Sequence, residues 1–186
     1  MKKRLVATIT GTLLAAGMTL AAVAAHGADR EPASESRADL NAMDKEFLKS
    51  AAAGARFEVI GGHHAVKLAA SAKVTHFGHR MIKDHSLEFQ KVLTEARHEH
   101  VVVPPEPEPE QKKTLKIAGM FKGHTFDCAY MALEYTDHTA DVAEAELELA
   151  EGHDGSVKDL AAWTLHNIYR PHLAMASDIL MSLNCS

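Results

Sequence analysis

The chain of 186 residues has few aromatic side chains, two cysteines, one long apolar run and no basic cluster beyond its first residues. Its formal net charge is −5, which becomes −8 without the basic residues at positions 2–4. The residues after position 4 contain no basic patch that could bind a phosphate backbone, so nucleic acid is an improbable partner. Aromatics make up only 5% of the residues, while Ala, Leu, Glu and Lys dominate. This composition favours an all-helical protein.

The one long apolar run, 5–25, follows the basic residues 2–4 and precedes small residues at cleavage-compatible spacing. This pattern predicts a secretory signal peptide at 1–28, with an uncleaved membrane anchor as the alternative. A polar tether at 29–37 and one helical domain at 38–186 would follow. After cleavage we expect no integral membrane span, and a location in the periplasm or cell envelope of a Gram-negative bacterium.

Apolar residues at helical spacing predict long helices over 38–70, 72–98, 125–151 and 157–183, with a short one over 111–120. Between the second and third long helices, four of the six prolines stand within 104–109, which excludes a helix there. An extended connection of this length can travel the length of a helical bundle. The fold class predicted is therefore all-α, a four-helix bundle with a long Pro-rich connection.

Each long helix has one polar residue near its middle, where its apolar stripe calls for an aliphatic side chain: Glu58, His85, His138 and His172. Counting from the turns places the four at matching heights. Burying such groups without partners costs a few kcal/mol each, so we expect them to satisfy one another or to bind a ligand.

Three imidazoles and a carboxylate suit a divalent transition metal, and the candidates here are copper, zinc or iron. Four further polar residues are candidates for orienting the rings as outer hydrogen-bond partners: Asp84, Asp127, Tyr130 and Glu134. The competing interpretation is a metal-free core whose polar groups fix the helix register by hydrogen bonds. A second, surface metal site near His63 and His79 is less favoured than a solvated polar face.

The two cysteines, Cys128 and Cys185, lie nearly equidistant from the predicted turn at 152–155. In an antiparallel hairpin they would reach the same level, and an exported chain permits a disulfide. The penultimate position of Cys185 favours fraying instead, so both outcomes stay open.

Several segments resemble a bacterial exported family called domain of unknown function 4142, often labelled predicted outer membrane proteins. The resemblance rests on the segments at 44–53, 77–86, 126–130 and 171–176, with Glu58 and His138. It implies export and a ferritin-like four-helix bundle, and it implies no established activity.

This chain departs from the family pattern at Pro171, which usually lies earlier, and at the His63–His64 pair. It also lacks the Glu-x-x-His pairs of di-iron proteins at His85 and His172, which disfavours ferroxidase chemistry. No nucleophile or acid–base pair is identifiable, so an enzyme is the weaker expectation. The leading hypothesis is a periplasmic protein that binds a transition metal, for envelope metal handling or stress tolerance. The alternative is a metal-free structural or interaction module of the envelope.

Overall fold

The computed structural model describes residues 39–185, which form helices and no strand. The helices are α1 (Ala42–Leu68), α2 (Ala72–His98), α3 (Pro109–Ala118), α4 (Gly123–Glu151), α5 (Gly155–Thr164), a π-helical segment (Leu165–Tyr169) and α6 (Arg170–Ser182). The all-helical prediction is confirmed. The predicted signal peptide at 1–28 and tether at 29–37 lie outside the described residues.

The helix boundaries follow the sequence prediction closely, except in the last helix. That helix, expected as continuous over 157–183, is divided into α5, the π-helical segment and α6. The short helix begins at Pro109, inside the segment expected to be extended, because proline is tolerated at the first helical position. No described helix is both long enough and apolar enough to cross a membrane.

Buried aspartates fix the helix ends to one another. Asp44 closes a capping box with Asn41 at the start of α1, and its Oδ1 also accepts the backbone N–H groups of His153 and Asp154. Asp127 of α4 accepts the N–H groups of Ala70 at 3.2 Å and Ser71 at 2.9 Å. The start of α1 therefore lies beside the end of α4, and the start of α4 lies beside the α1–α2 turn.

The connection between α2 and α4 follows α1 from its beginning towards its end. Val101 packs against the apolar cluster around the first half of α1, and Pro105 lies beside Arg56. Farther on, Leu115 of α3 lies against Gly61, and Gly119 lies against His64. The connection therefore runs along α1, which its length permits.

The apolar interior consists of two clusters, one built on the first half of α1 and the other on its last turns. The first cluster includes Phe47, Ala55, Phe89, Ala145 and Ile168. The second includes Ala65, Met81, Met131 and Ala176. On each long helix, one of the four predicted polar residues falls between the members of the two clusters. A buried polar layer thus separates the two apolar clusters.

Helices α1 and α2 approach each other closely at Gly62 and Gly78. A Cβ built on Gly62 would lie 2.7 Å from the backbone oxygen of Gly78, and one on Gly78 would lie 2.8 Å from that of Gly62. Gly62 is one helical turn from Glu58, and Gly78 is two turns from His85. This contact therefore positions two of the helices that carry the polar layer.

Cys128 and Cys185 form a disulfide, with their Cα atoms 5.7 Å apart. The bond joins the beginning of α4 to the chain that follows α6, near the end of the molecule where α1 turns into α2. Of the two outcomes that the sequence left open, a disulfide or a frayed chain end, the structure has the disulfide.

Candidate metal centre

Three buried imidazoles meet in the polar layer, one each from α2, α4 and α6. The ring centroids lie 5.5 Å apart for His85 and His138, 5.2 Å for His85 and His172, and 5.3 Å for His138 and His172. Each ring offers a nitrogen within 4.8 Å of a nitrogen from both others. The three rings therefore form a nearly equilateral triangle.

The outward nitrogen of each ring contacts an oxygen acceptor. Nδ1 of His138 donates to the backbone oxygen of Glu134 at 3.0 Å. Nε2 of His172 lies 3.0 Å from Oδ2 of Asp84, and Nδ1 of His85 lies 2.6 Å from Oε2 of Glu88. A carboxylate or carbonyl behind each ring is the arrangement that orients histidine ligands in metal sites.

The Asp84 carboxylate is itself held from the surface side. Its Oδ2 accepts from Nε of Arg80 at 2.7 Å, one helical turn earlier on α2. Hydrogen bonds from Arg80 and His172 lower the pKa of Asp84 despite the opposing effect of burial. Asp84 is therefore ionised and accepts the His172 proton, which leaves Nδ1 of His172 without one.

Glu88 is held in turn by Tyr169, whose hydroxyl donates to its Oε1 at 2.5 Å. Tyr169 ends the π-helical segment at 165–169, which directly precedes Pro171 and His172. Wide turns of this kind occur frequently at functional sites. The π turn therefore positions Tyr169, which holds Glu88 against His85, and it leads directly into the first turn of α6, which carries His172.

Burial keeps all three imidazoles neutral. It lowers the pKa of His85, His138 and His172 to about 3 each, and for His138 and His172 neighbouring imidazoles add to the effect. A neutral imidazole has a free lone pair, which is the form that binds metal ions. At neutral pH the triangle is therefore chemically ready to coordinate a cation.

Glu58 lies apart from the complete triangle and groups with Glu134 and His138. One ligand atom from each of these three residues lies within 4.8 Å of the others. The structure thus brings all four predicted ligands into one layer, but as two sets that share His138. The four residues predicted as one set lie as a triangle of histidines with Glu58 beside it, paired with Glu134.

The Glu58 and Glu134 carboxyl groups are both 1% exposed. Burial and the neighbouring charges of Glu134 and Asp137 raise the pKa of Glu58 well above its usual range. Burial also raises the pKa of Glu134 to about 8. Both are therefore carrying protons at neutral pH unless a cation replaces them.

The predicted outer partners have different roles in the structure. Asp84 contacts His172, and Glu134 contacts His138 through its backbone oxygen. Tyr130 lies with the carboxyl pair. Burial is the largest cause of its raised pKa, and the nearby Glu134 and Glu58 raise it further. Asp127, by contrast, binds the α1–α2 turn, because its carboxylate accepts two backbone N–H groups there.

Sequence reasoning missed Glu88 and Tyr169. The signal for Glu88 was its position three residues after His85, which places both side chains on one face of α2. Tyr169 had no comparable signal, because its direction depends on the π turn.

A further set, Glu95, His98 and Glu99, lies at the end of α2, and the His98 side chain is 57% exposed.

The family described as Domain of unknown function (DUF4142) matches residues 29–179, which is most of the chain. Neither the curated proteins nor the solved structures contain a match.

Proposed function

We propose that this chain, which belongs to the family of domain of unknown function 4142, binds a transition metal ion through His85, His138 and His172. The observation that carries the proposal is the direction of the ring nitrogens. In His138 and His172, the outward nitrogen must hold the ring proton, because each faces an acceptor. The inward nitrogens, Nε2 of His138 and Nδ1 of His172, therefore present bare lone pairs to the centre of the triangle.

The spacing of these nitrogens suits a tetrahedral ion. Two nitrogens that are each about 2.0–2.1 Å from a tetrahedral zinc ion are roughly 3.3 Å from each other. Nδ1 of His172 and Nε2 of His85 lie 3.3 Å apart. Nε2 of His138 is buried and has no hydrogen-bond partner among the described residues. Imidazole ligands favour zinc, copper or iron, which are the metals expected from the sequence.

Calorimetric titration of chelator-stripped protein with Zn²⁺, Cu²⁺ and Fe²⁺ tests the proposal. We expect a site of micromolar affinity or tighter that is lost in His172→Ala and in His85→Ala. His166→Ala is the matched control, because His166 is exposed on the neighbouring π turn. The proposal is wrong if the native protein binds none of these ions, or if His172→Ala binds them as tightly while its circular dichroism is unchanged.

A metal-free structural module is the second candidate. The two candidates differ in whether Nε2 of His85 carries a proton. Burial raises the pKa of Glu88 to about 8, so its carboxyl group can donate to Nδ1 of His85. His85 would then donate through Nε2 to His172, which donates to Asp84. In that state the polar layer fixes helix register by hydrogen bonds. Nitrogen NMR of the His85 ring with and without Zn²⁺ distinguishes the two, because metal binding requires a bare Nε2.

The proposal also covers the cellular location and the fold architecture of the protein. A disulfide between Cys128 and Cys185 is typical of proteins outside the cytosol, and it agrees with the signal peptide expected at 1–28. We therefore place the protein in the periplasm or cell envelope, acting in metal handling or stress tolerance. The antiparallel helix ends and the lengthwise connection support a ferritin-like four-helix bundle as the architecture.

A further inference from the structure

The carboxyl pair beside the histidine triangle has oxygen atoms with no partner. All four oxygens of Glu58 and Glu134 and the hydroxyl of Tyr130 are buried, and no backbone N–H or basic side chain of the described residues donates to them. Leaving a buried polar atom unsatisfied costs about 1–3 kcal/mol. Five such atoms in one place indicate a group that is shaped to receive something other than a side chain.

The backbone is arranged to bring these oxygens together. Tyr130, Glu134 and His138 follow one another at intervals of four along α4, so they lie on one face of that helix. Glu58 meets them from α1, where Gly61 leaves room for them. A Cβ on Gly61 would lie 3.4 Å from the ring of Tyr130 and 3.6 Å from Oε1 of Glu134.

Hydrogen bonds within the group do not complete it. A proton shared between Glu58 and Glu134 serves one oxygen of each carboxyl group, and burial penalises every oxygen that remains without a donor. No backbone N–H or basic side chain of the described residues supplies the missing donors. No lysine or arginine is among the buried residues of the described chain, so no side-chain cation balances the pair.

We infer that Glu58 and Glu134 form a second divalent-cation position beside the histidine triangle, so that the polar layer holds two metal ions. His138 offers only Nε2, because Nδ1 donates to the Glu134 backbone, and one nitrogen serves one ion. The second position therefore rests on the two carboxylates, with the Tyr130 hydroxyl and water as further donors. Carboxylate, hydroxyl and water oxygens are donors that suit a harder ion such as Mn²⁺, whereas three imidazoles suit copper or zinc.

Metal content after equilibrium dialysis tests the inference. Stripped protein receives one equivalent of Zn²⁺ and is then dialysed against excess Mn²⁺ without further zinc, and both metals are measured by mass spectrometry. We expect one zinc and one manganese per chain in the native protein. Glu58→Gln and Glu134→Gln should each lose the manganese and keep the zinc, since glutamine preserves the volume and removes the charge.

Two variants separate this inference from the proposed function. His172→Ala should lose the zinc ion held by the triangle and keep the manganese. Glu95→Gln alters the set at the end of α2 and should lose neither. The inference is overturned if the native protein binds zinc alone, or if manganese persists in both glutamine variants. Zinc retained in His172→Ala would instead overturn the proposed function and leave the second position standing.

Discussion

Replacing Gly78 with alanine is expected to destabilise the protein, although the same substitution at an open helical position stabilises one. A Cβ at Gly78 would lie 2.7 Å from Cβ of Ala65 and 2.8 Å from the backbone oxygen of Gly62. Neither atom is the end of a flexible side chain. Helices α1 and α2 must therefore move apart until these contacts reach at least about 3.4 Å.

The magnitude follows from two opposing effects. Overfilling a tight contact typically costs about 1–3 kcal/mol. Alanine in a helix interior is favoured over glycine by about 1 kcal/mol, which offsets part of that cost. Because both contacts fall below 3.0 Å and neither partner atom can rotate away, the cost here lies at about 2–3 kcal/mol. The net loss is then about 1–2 kcal/mol in the free energy of unfolding, or a melting temperature lower by roughly 2–8 °C.

Gly54 is the matched control, because it lies in the interior of α1, the helix that packs against α2, and a Cβ there would meet nothing within 4 Å. Gly54→Ala should raise the free energy of unfolding by about 0.5–1 kcal/mol. Urea denaturation of the stripped proteins, followed by circular dichroism, measures both variants. A Gly78→Ala protein as stable as the native one would refute the close approach of α1 and α2. The same variant should also bind metal more weakly, because Glu58 and His85 lie on the two separated helices.

Three other substitutions have outcomes that the structure predicts. Burial raises the pKa of Glu148 from 4.5 to about 8, so the stability of the native protein falls as pH rises between these values. Glu148→Gln removes this titration, so its stability relative to the native protein should increase from pH 4.5 to pH 8. Melting temperatures of both proteins at the two pH values measure the difference. Replacing both Cys128 and Cys185 with serine should cost about 2–4 kcal/mol in urea denaturation, because the disulfide closes a separation of 57 residues; reductant should lower the native protein's stability equally. Asp154→Ala should cost about 1 kcal/mol by the same assay, since its carboxylate accepts the N–H groups of Ser156 and Val157, and no loss would contradict that cap.

The polar layer was predictable because helical periodicity is a local property. His85 and His172 interrupt apolar stripes whose spacing of three and four residues assigns each to the buried face. Counting from the turns then gave their heights, since every residue advances a helix by about 1.5 Å. The all-helical fold followed from the same pattern, and the prolines at 104–109 marked the connection.

The grouping within the layer was not predictable, because it depends on distances between helices. Height alone cannot decide whether Glu58 faces the three histidines or Glu134. Tyr169 shows a second limit. The π-helical segment at 165–169 is wider than a regular helix, so the regular spacing does not give the direction of Tyr169 within it. The contact between Tyr169 and Glu88 follows from that irregularity.

Two groups of buried acids in the described chain contrast with each other, and the fold supplies donors to only one of these two groups. Asp44, Asp127 and Asp154 lie at helix ends, where backbone N–H groups supply the donors that a carboxylate needs. Glu58 and Glu134 lie mid-helix, where every backbone N–H is already used, and no lysine or arginine is among the buried residues described. Their charge must be cancelled by protons or by a bound cation. Metal uptake at this layer must therefore release protons, and a calorimetric titration repeated in buffers of different ionisation enthalpy would count them.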